Sequence, residues 1–252
     1  MDAIVIENLH KTFRLSHERH GSLKSLALSF SRRTHDYVHA LNGISFTVPE
    51  GETLAVVGKN GSGKSTLLST MARVYKPTSG TVTMNGRVSA LLALGAGFHT
   101  ELTGIENVYL NGSILGMSRR EIDKCFNQIV SFAELEEFID APLRTYSSGM
   151  VMRLGFSVAI QVRPDILLVD EVLAVGDEQF QRKCYEKVRE LQSEGKTILF
   201  VSHDLKAVSD VATRAMWLDS GEIRADGDVQ TVLGKYVENT TAGDASPAPP
   251  AL

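Results

Sequence analysis

Residues 58 to 66 read GKNGSGKST and fill the pattern G-x-x-x-x-G-K-[ST], with Gly58, Gly63, Lys64 and Ser65 at its fixed positions. That pattern works only between a strand and a helix, so it constrains the fold before anything else is read. The flanks agree. ETLAVV before it is a short apolar stretch of strand type, and after it Leu67, Leu68 and Met71 recur at helical spacing. Such bare backbone suits a chain of phosphates, which successive N–H groups wrap only where side chains at Gly61 and Gly63 do not obstruct them. The positive end of the following helix faces the same anion. Lys64 adds a full charge within reach of β- and γ-phosphates, and the Ser65 hydroxyl suits Mg²⁺. Gly58, Asn60, Gly61, Ser62, Gly63, Lys64, Ser65 and Thr66 are the candidate phosphate-binding residues.

Composition sets outer bounds. A chain of 252 residues can bury one sizeable core with a smaller appended lobe. No run of eighteen apolar residues occurs, and the N-terminus MDAIVIENLH lacks the pattern of an export signal, so neither a membrane span nor secretion is expected. Cys125 and Cys184 have no CxxC spacing, which predicts reduced thiols and not a zinc site or a disulfide. A net charge of -4 disfavours nucleic acid held by a broad basic surface.

A phosphate cradle needs acids before it can hydrolyse anything. DILLVDE, residues 165 to 171, carries four consecutive apolar residues, as a strand covered on both faces requires, and then Asp170 and Glu171. Asp170 is placed to hold Mg²⁺, and Glu171 is the candidate general base for an attacking water. TILFVSHD is a second apolar stretch that runs into His203, a candidate for contact with the γ-phosphate.

The order of phosphate loop, acid pair and strand-end histidine, with TYSSGMVMRLGFSVAI before the acids, resembles the ATP-binding subunit of ABC transporters from about Ile4 to Tyr236. The resemblance implies an α/β P-loop fold: a mostly parallel core sheet, an N-terminal antiparallel β region and an inserted helical subdomain near residues 95 to 160. It also implies a signature turn that binds the γ-phosphate of ATP held by a second copy. The family's LSGGQ reads YSSGM here, keeping Ser147 and Gly149 but placing Ser148 and Met150 where glycine and glutamine are usual, and Arg153 follows at the family's spacing. Asp177 matches the D-loop acid, although AVGD replaces the common SALD. Lys64, Glu171 and His203 are then the catalytic candidates, with Ser65 and Asp170 for the metal. Two copies are expected to close head to tail on ATP and Mg²⁺. An aromatic ring is expected against adenine; Tyr37 is the candidate, with His35 and His39 as rivals.

YSSGM, DEVLAVGDEQFQRKC and LLALGAGFHTELTGIENVYLNG together resemble the branch that exports polysaccharides or lipid-linked glycans such as O-antigen, capsule, galactan or teichoic acid. That branch implies an integral-membrane permease pair as partner, a glycan contacted through the permease, and a peripheral place on the cytoplasmic face of the membrane. An ABC ATPase of another transporter branch, a soluble ABC ATPase and a small-molecule kinase are the competing readings. The segment from about Leu94 to Leu102, where the family's Q-loop belongs, has no glutamine, so it supplies no metal ligand. Between Phe13 and His39 an insertion places Leu23, Leu26, Ala27 and Phe30 on one helical face followed by Arg32 and Arg33, suited either to packing on its own domain or to a membrane partner. The ATPase domain is expected over 1–237 and a disordered tail over 238–252, which is too short for a sugar-binding domain.

Overall fold

A computed structural model describes residues 1–15, 36–92, 97–170 and 176–244. The insertion helix with Leu23, Leu26, Ala27, Phe30, Arg32 and Arg33, the rival His35, the Q-loop start at Leu94 and the base candidate Glu171 all lie outside the described residues.

The expected two sheets are present. Strands β1 (Asp2–Leu15), β2 (Asp36–Pro49) and β4 (Ser79–Met84) form an antiparallel sheet in the order β2-β1-β4. The core sheet runs β5-β6-β7-β3-β8-β9, from β3 (Thr53–Val57), β5 (Val88–Leu91), β6 (Ile166–Val169), β7 (Thr197–Val201), β8 (Arg214–Asp219) and β9 (Glu222–Gly227). Its first five strands are parallel, and β9 pairs antiparallel with β8 at the edge.

The unbroken apolar runs follow from burial on both faces. Ala55, Leu167, Val169, Ile198 and Phe200 face one core, shared with Phe156, Phe180, Val188 and Val232. Their neighbours Leu54, Val56, Ile166, Leu168, Leu199 and Val201 face the other, where Leu67, Leu68 and Met71 of α1 (Lys64–Met71) and the inner side of the antiparallel sheet pack. Each such Val, Leu, Ile, Phe or Met side chain contributes about 1.5–3 kcal/mol by leaving water. Arg214 bolts the two sheets together: it donates to both carboxylate oxygens of Asp226 at 2.6 Å, to Glu52 at 3.2 Å and to the Thr47 carbonyl at 2.9 Å.

The helical subdomain comprises α2 (Gly104–Ile114), α3 (Arg119–Ala133) and α4 (Ser148–Ile160), with its own core around Val108, Ile122, Ile129, Leu154 and Val158. Thr103 with Glu106, and Ser118 with Glu121, are reciprocal capping boxes that start α2 and α3. Helices α5 (Glu178–Ser193), α6 (Leu205–Val211) and α7 (Val229–Asp244) cover the remaining core face. Cys125 and Cys184 are both free and buried, on α3 and α5.

One boundary needs correction. Helix α7 runs to Asp244, so residues 238–244 are helical where disorder was expected. Val229, Val232 and Leu233 are buried, and Tyr236 meets Trp217 edge-on at 5.9 Å. With its first turns anchored, the helix adds further residues without a new nucleation cost. Residues 245–252 lie outside the described residues.

Candidate functional site

Three neighbouring strands end together. In the order β6-β7-β3, Val169 pairs with Phe200 and Val201 pairs with Val56, so all three carboxyl ends stand at one level. The phosphate loop follows β3, Asp170 follows β6, and His203 lies just past β7. A crevice at the carboxyl ends of parallel strands is where open α/β sheets bind ligands. Asp170 is half-buried and its amide faces the Leu91 carbonyl at 3.5 Å; His203 is exposed.

Gly61 and Gly63 have φ of +82° and +109°, which glycine adopts without strain. At Gly58 an added Cβ would sit 2.2 Å from the Leu218 carbonyl and 2.7 Å from Ser62 Oγ, and at Gly63 2.5 Å from the Ala40 carbonyl, so neighbouring backbone closes tightly on the loop. At Gly61 nothing lies within 4 Å, leaving that side open. Lys64 is only 6% exposed, and its ammonium donates to the Gly58 carbonyl at 2.7 Å and the Lys59 carbonyl at 2.9 Å. Its charge is thereby held inside the loop's curve. Ser62 Oγ is buried with no hydrogen-bond partner among the described residues, an arrangement that costs about 1–3 kcal/mol unless a ligand satisfies it. Helix α1 begins at Lys64 with no side-chain cap, so its first N–H groups are available to an anion. This cradle fits a polyphosphate. Ser65 is exposed at its rim and Thr66 half-buried beside it.

Among the described residues no three His, Cys, Asp or Glu side chains converge on a possible metal position. Mg²⁺ beside a nucleotide needs no such protein cage, because one or two protein oxygens with substrate phosphates and waters are enough for it.

Tyr37 lies on β2 opposite Arg14 of β1, with its side chain 58% exposed. The same strand brings the Ala40 carbonyl over Gly63, three residues beyond Tyr37. Nδ1 of the rival His39 lies 3.1 Å from Thr12 Oγ1.

The signature turn is elsewhere on the surface. Ser147 is exposed and caps α4, its hydroxyl accepting from Met150 N at 3.2 Å. An added Cβ at Gly149 would meet only Ser147 Oγ, at 3.8 Å, which leaves the turn open to an anion. A cavity of about 570 Å³ gathers Ser147, Ser148, Gly149, Arg153, Asp177 and Glu134, and no residue of 58–66 lines it.

Asp177 meets the signature helix of its own chain. One carboxylate oxygen caps α5 by accepting from Phe180 N at 2.9 Å, and the other accepts from Arg153 at 2.5 Å. The Phe180 amide first, and Arg153 with it, hold the Asp177 carboxyl below its ordinary range. Arg153 also donates to Glu134 at 2.9 Å, and Lys183 of α5 pairs with the same carboxylate. Glu134 stands below the usual range chiefly through Lys183. Glu134 closes α3 in the left-handed conformation, φ +58°, which disfavours side chains other than glycine. The sequence reading missed Glu134 and Lys183; a non-glycine residue at a helix end is no signal, and their partners are distant in the chain.

A phosphate-wrapping strand–loop–helix, Asp170 and a histidine at adjacent strand ends, and a helical lobe carrying a serine-capped turn define an ATP-binding cassette. The chain belongs to the ABC transporter family, whose model matches residues 41–174. It is 46% identical over 238 residues to the O-antigen export system ATP-binding protein RfbB of Klebsiella pneumoniae, covering 92% of this chain and 96% of that protein. It is also 46% identical over 262 residues to the protein of the same name from Myxococcus xanthus, covering all of this chain but only 60% of that relative's length. Among solved structures it resembles the ATP-binding cassette MJ0796 in a post-hydrolysis dimer with ADP and Pi, with a TM-score of 0.72 at 23% identity over 90% of this chain and 98% of that one. That likeness establishes the fold.

Proposed function

We propose that this chain hydrolyses ATP as one half of a head-to-tail pair and powers a membrane permease that exports a polysaccharide or lipid-linked glycan. The observation that carries the pairing is the separation of the two anion-suited surfaces, since the phosphate loop and the signature cavity share no lining residue. Each copy would present its loop to the other's Ser147 and Gly149, with Asp177 beside them. The export reading is supported by the identity to O-antigen export proteins along nearly the whole length of the Klebsiella relative.

Within one site, Tyr37 stacks on adenine and Lys64 turns from the loop carbonyls to the phosphates. Ser62 Oγ gains the partner it lacks. Glu171 takes a proton from the attacking water, and His203 orients that water against the γ-phosphate. Ser65 and Asp170 would hold Mg²⁺, which supplies charge neutralisation when bound. ATP closes the pair and hydrolysis releases it, which converts chemistry into movement. Among the described residues no helix is long and apolar enough to cross a membrane, and attachment to the cytoplasmic face would come through the permease.

Glu171→Gln should keep MgATP binding, abolish turnover and accumulate a dimer by size-exclusion chromatography. A variant that binds MgATP and remains a monomer would overturn the shared site. Co-purification with a multi-span product of a neighbouring gene tests the export assignment, and a nucleic-acid or ribosomal partner in its place would refute it.

A further inference from the structure

The buried groups outside the phosphate loop include one amide with an unusual set of partners. Asn107, on α2, is 0% exposed. Its Oδ1 accepts from His99 N at 2.7 Å, while Nδ2 donates to the carbonyls of His99 at 3.0 Å, Leu102 at 3.0 Å and Thr103 at 2.9 Å. The side chain thus pairs with both the N–H and the C=O of His99 as a strand neighbour would, and it closes residues 99–103 into a fixed turn. Each of these carbonyls also accepts a backbone N–H, His99 O from Leu102, Leu102 O from Leu143 and Thr103 O from Asn107 itself, and the two Nδ2 protons are shared among the three, so the amide ties together groups that already hold the turn.

That turn is the edge on which the approach to the signature is laid. Leu143 N donates to Leu102 O at 2.9 Å, and Arg144 N to Thr100 O at 2.9 Å; Gly104 N donates to Ala141 O at 3.1 Å, and Ile105 N to Ile139 O at 3.0 Å. Thr103 and Pro142 form an antiparallel bridge. At Gly104 an added Cβ would lie 2.4 Å from Tyr146 Oη and 2.8 Å from the Ile139 carbonyl, so the two segments touch with no room for a side chain. Tyr146 Oη in turn donates to the Phe138 carbonyl at 2.6 Å. Ser147 is the next residue.

We infer that Asn107 is a positioning residue for the signature turn: by fixing 99–103 it sets the backbone of 139–146, and so the place of Ser147 against the partner's triphosphate. This rests on the head-to-tail reading above. The side-chain bonds of Asn107 go to residues 99–103 and not to residues 58–66 of the phosphate loop.

The test compares Asn107→Ala with its parent, both carrying Glu171→Gln, for MgATP affinity of the monomer and for MgATP-driven dimerisation. The same substitution with Glu171 intact gives kcat and KM. The expected result is monomer affinity within about twofold of the parent, with the dimerisation midpoint raised and kcat/KM lowered roughly tenfold, the scale on which linking residues modulate coupling. A general weakening of the fold would instead lower the fraction of chains that bind nucleotide. Gly104→Ala, an acceptable substitution for helix propensity, wedges the same contact from the other side and should give the same split, and Tyr146→Phe added to it should restore part of the dimerisation. Variants that bind MgATP stoichiometrically yet dimerise and turn over like the parent overturn this inference alone. A parent that binds MgATP and never dimerises overturns it together with the shared site.

Discussion

Ser147 does two things that one pair of substitutions separates. In the free chain its hydroxyl caps α4 through Met150 N. In the proposed pair it also faces the partner's γ-phosphate. Ser147→Ala removes both. Loss of a cap costs about 1 kcal/mol, which for a chain of this size lowers Tm by roughly 2–4 °C. Loss of a hydrogen bond to a charged group costs about 1.5–3 kcal/mol, or roughly 10- to 150-fold in the affinity of one subunit for the other's ATP. Ser147→Asp keeps the cap, because aspartate is as good as serine at that position, and its charge is favourable at a helix start. The same charge would oppose a phosphate, adding about 1 kcal/mol or more at 4 Å to the lost hydrogen bond. Aspartate should therefore be the more stable and the less functional of the two. Calorimetry gives Tm, and light scattering of chains carrying Glu171→Gln, titrated in MgATP, gives dimerisation. If Ser147→Asp dimerises within about threefold of its parent, Ser147 does not face a phosphate and the head-to-tail reasoning is wrong.

Two other outcomes follow from the fold. Arg214→Met leaves Glu52 and Asp226 without their shared cation; allowing for their partial exposure, about 2–3 kcal/mol and roughly 4–12 °C of Tm should be lost with MgATP affinity unchanged, and Asp226→Leu added to it should restore part. Burial pushes the Cys184 thiol up to about 12 and raises that of Cys125, so at pH 8 neither is a thiolate to any useful degree. Ellman's reagent should react slowly with the native protein and count two thiols after denaturation; fast native titration of either would show that its helix opens.

The parts of this molecule legible in its sequence are those whose chemistry is local. The phosphate loop needs glycines at fixed offsets, and β6 needs four apolar residues before Asp170, because a strand covered on both faces cannot alternate. The ion pairs around Arg153 were not legible, since Glu134 and Lys183 lie 49 residues apart and one carboxylate among 30 acidic residues carries no mark of its partner. Asn107 was hidden for the same reason: an asparagine on a helix reads as a surface residue until the fold lays a loop over it. The end of α7 was misjudged because its last residues are small and polar, while what extends the helix is the anchoring of Tyr236 on Trp217.

The absence of any shared residue between the phosphate loop and the cavity around Ser147 also bears on how much of this subunit a cell must make. If the proposed pairing holds, a lone copy is half a machine. While copies are scarce and meet only each other, the number of working couples rises with the square of supply, so halving production would leave about a quarter of the output. A membrane partner that seats two copies side by side would remove that penalty and turn a collision into a fixed address.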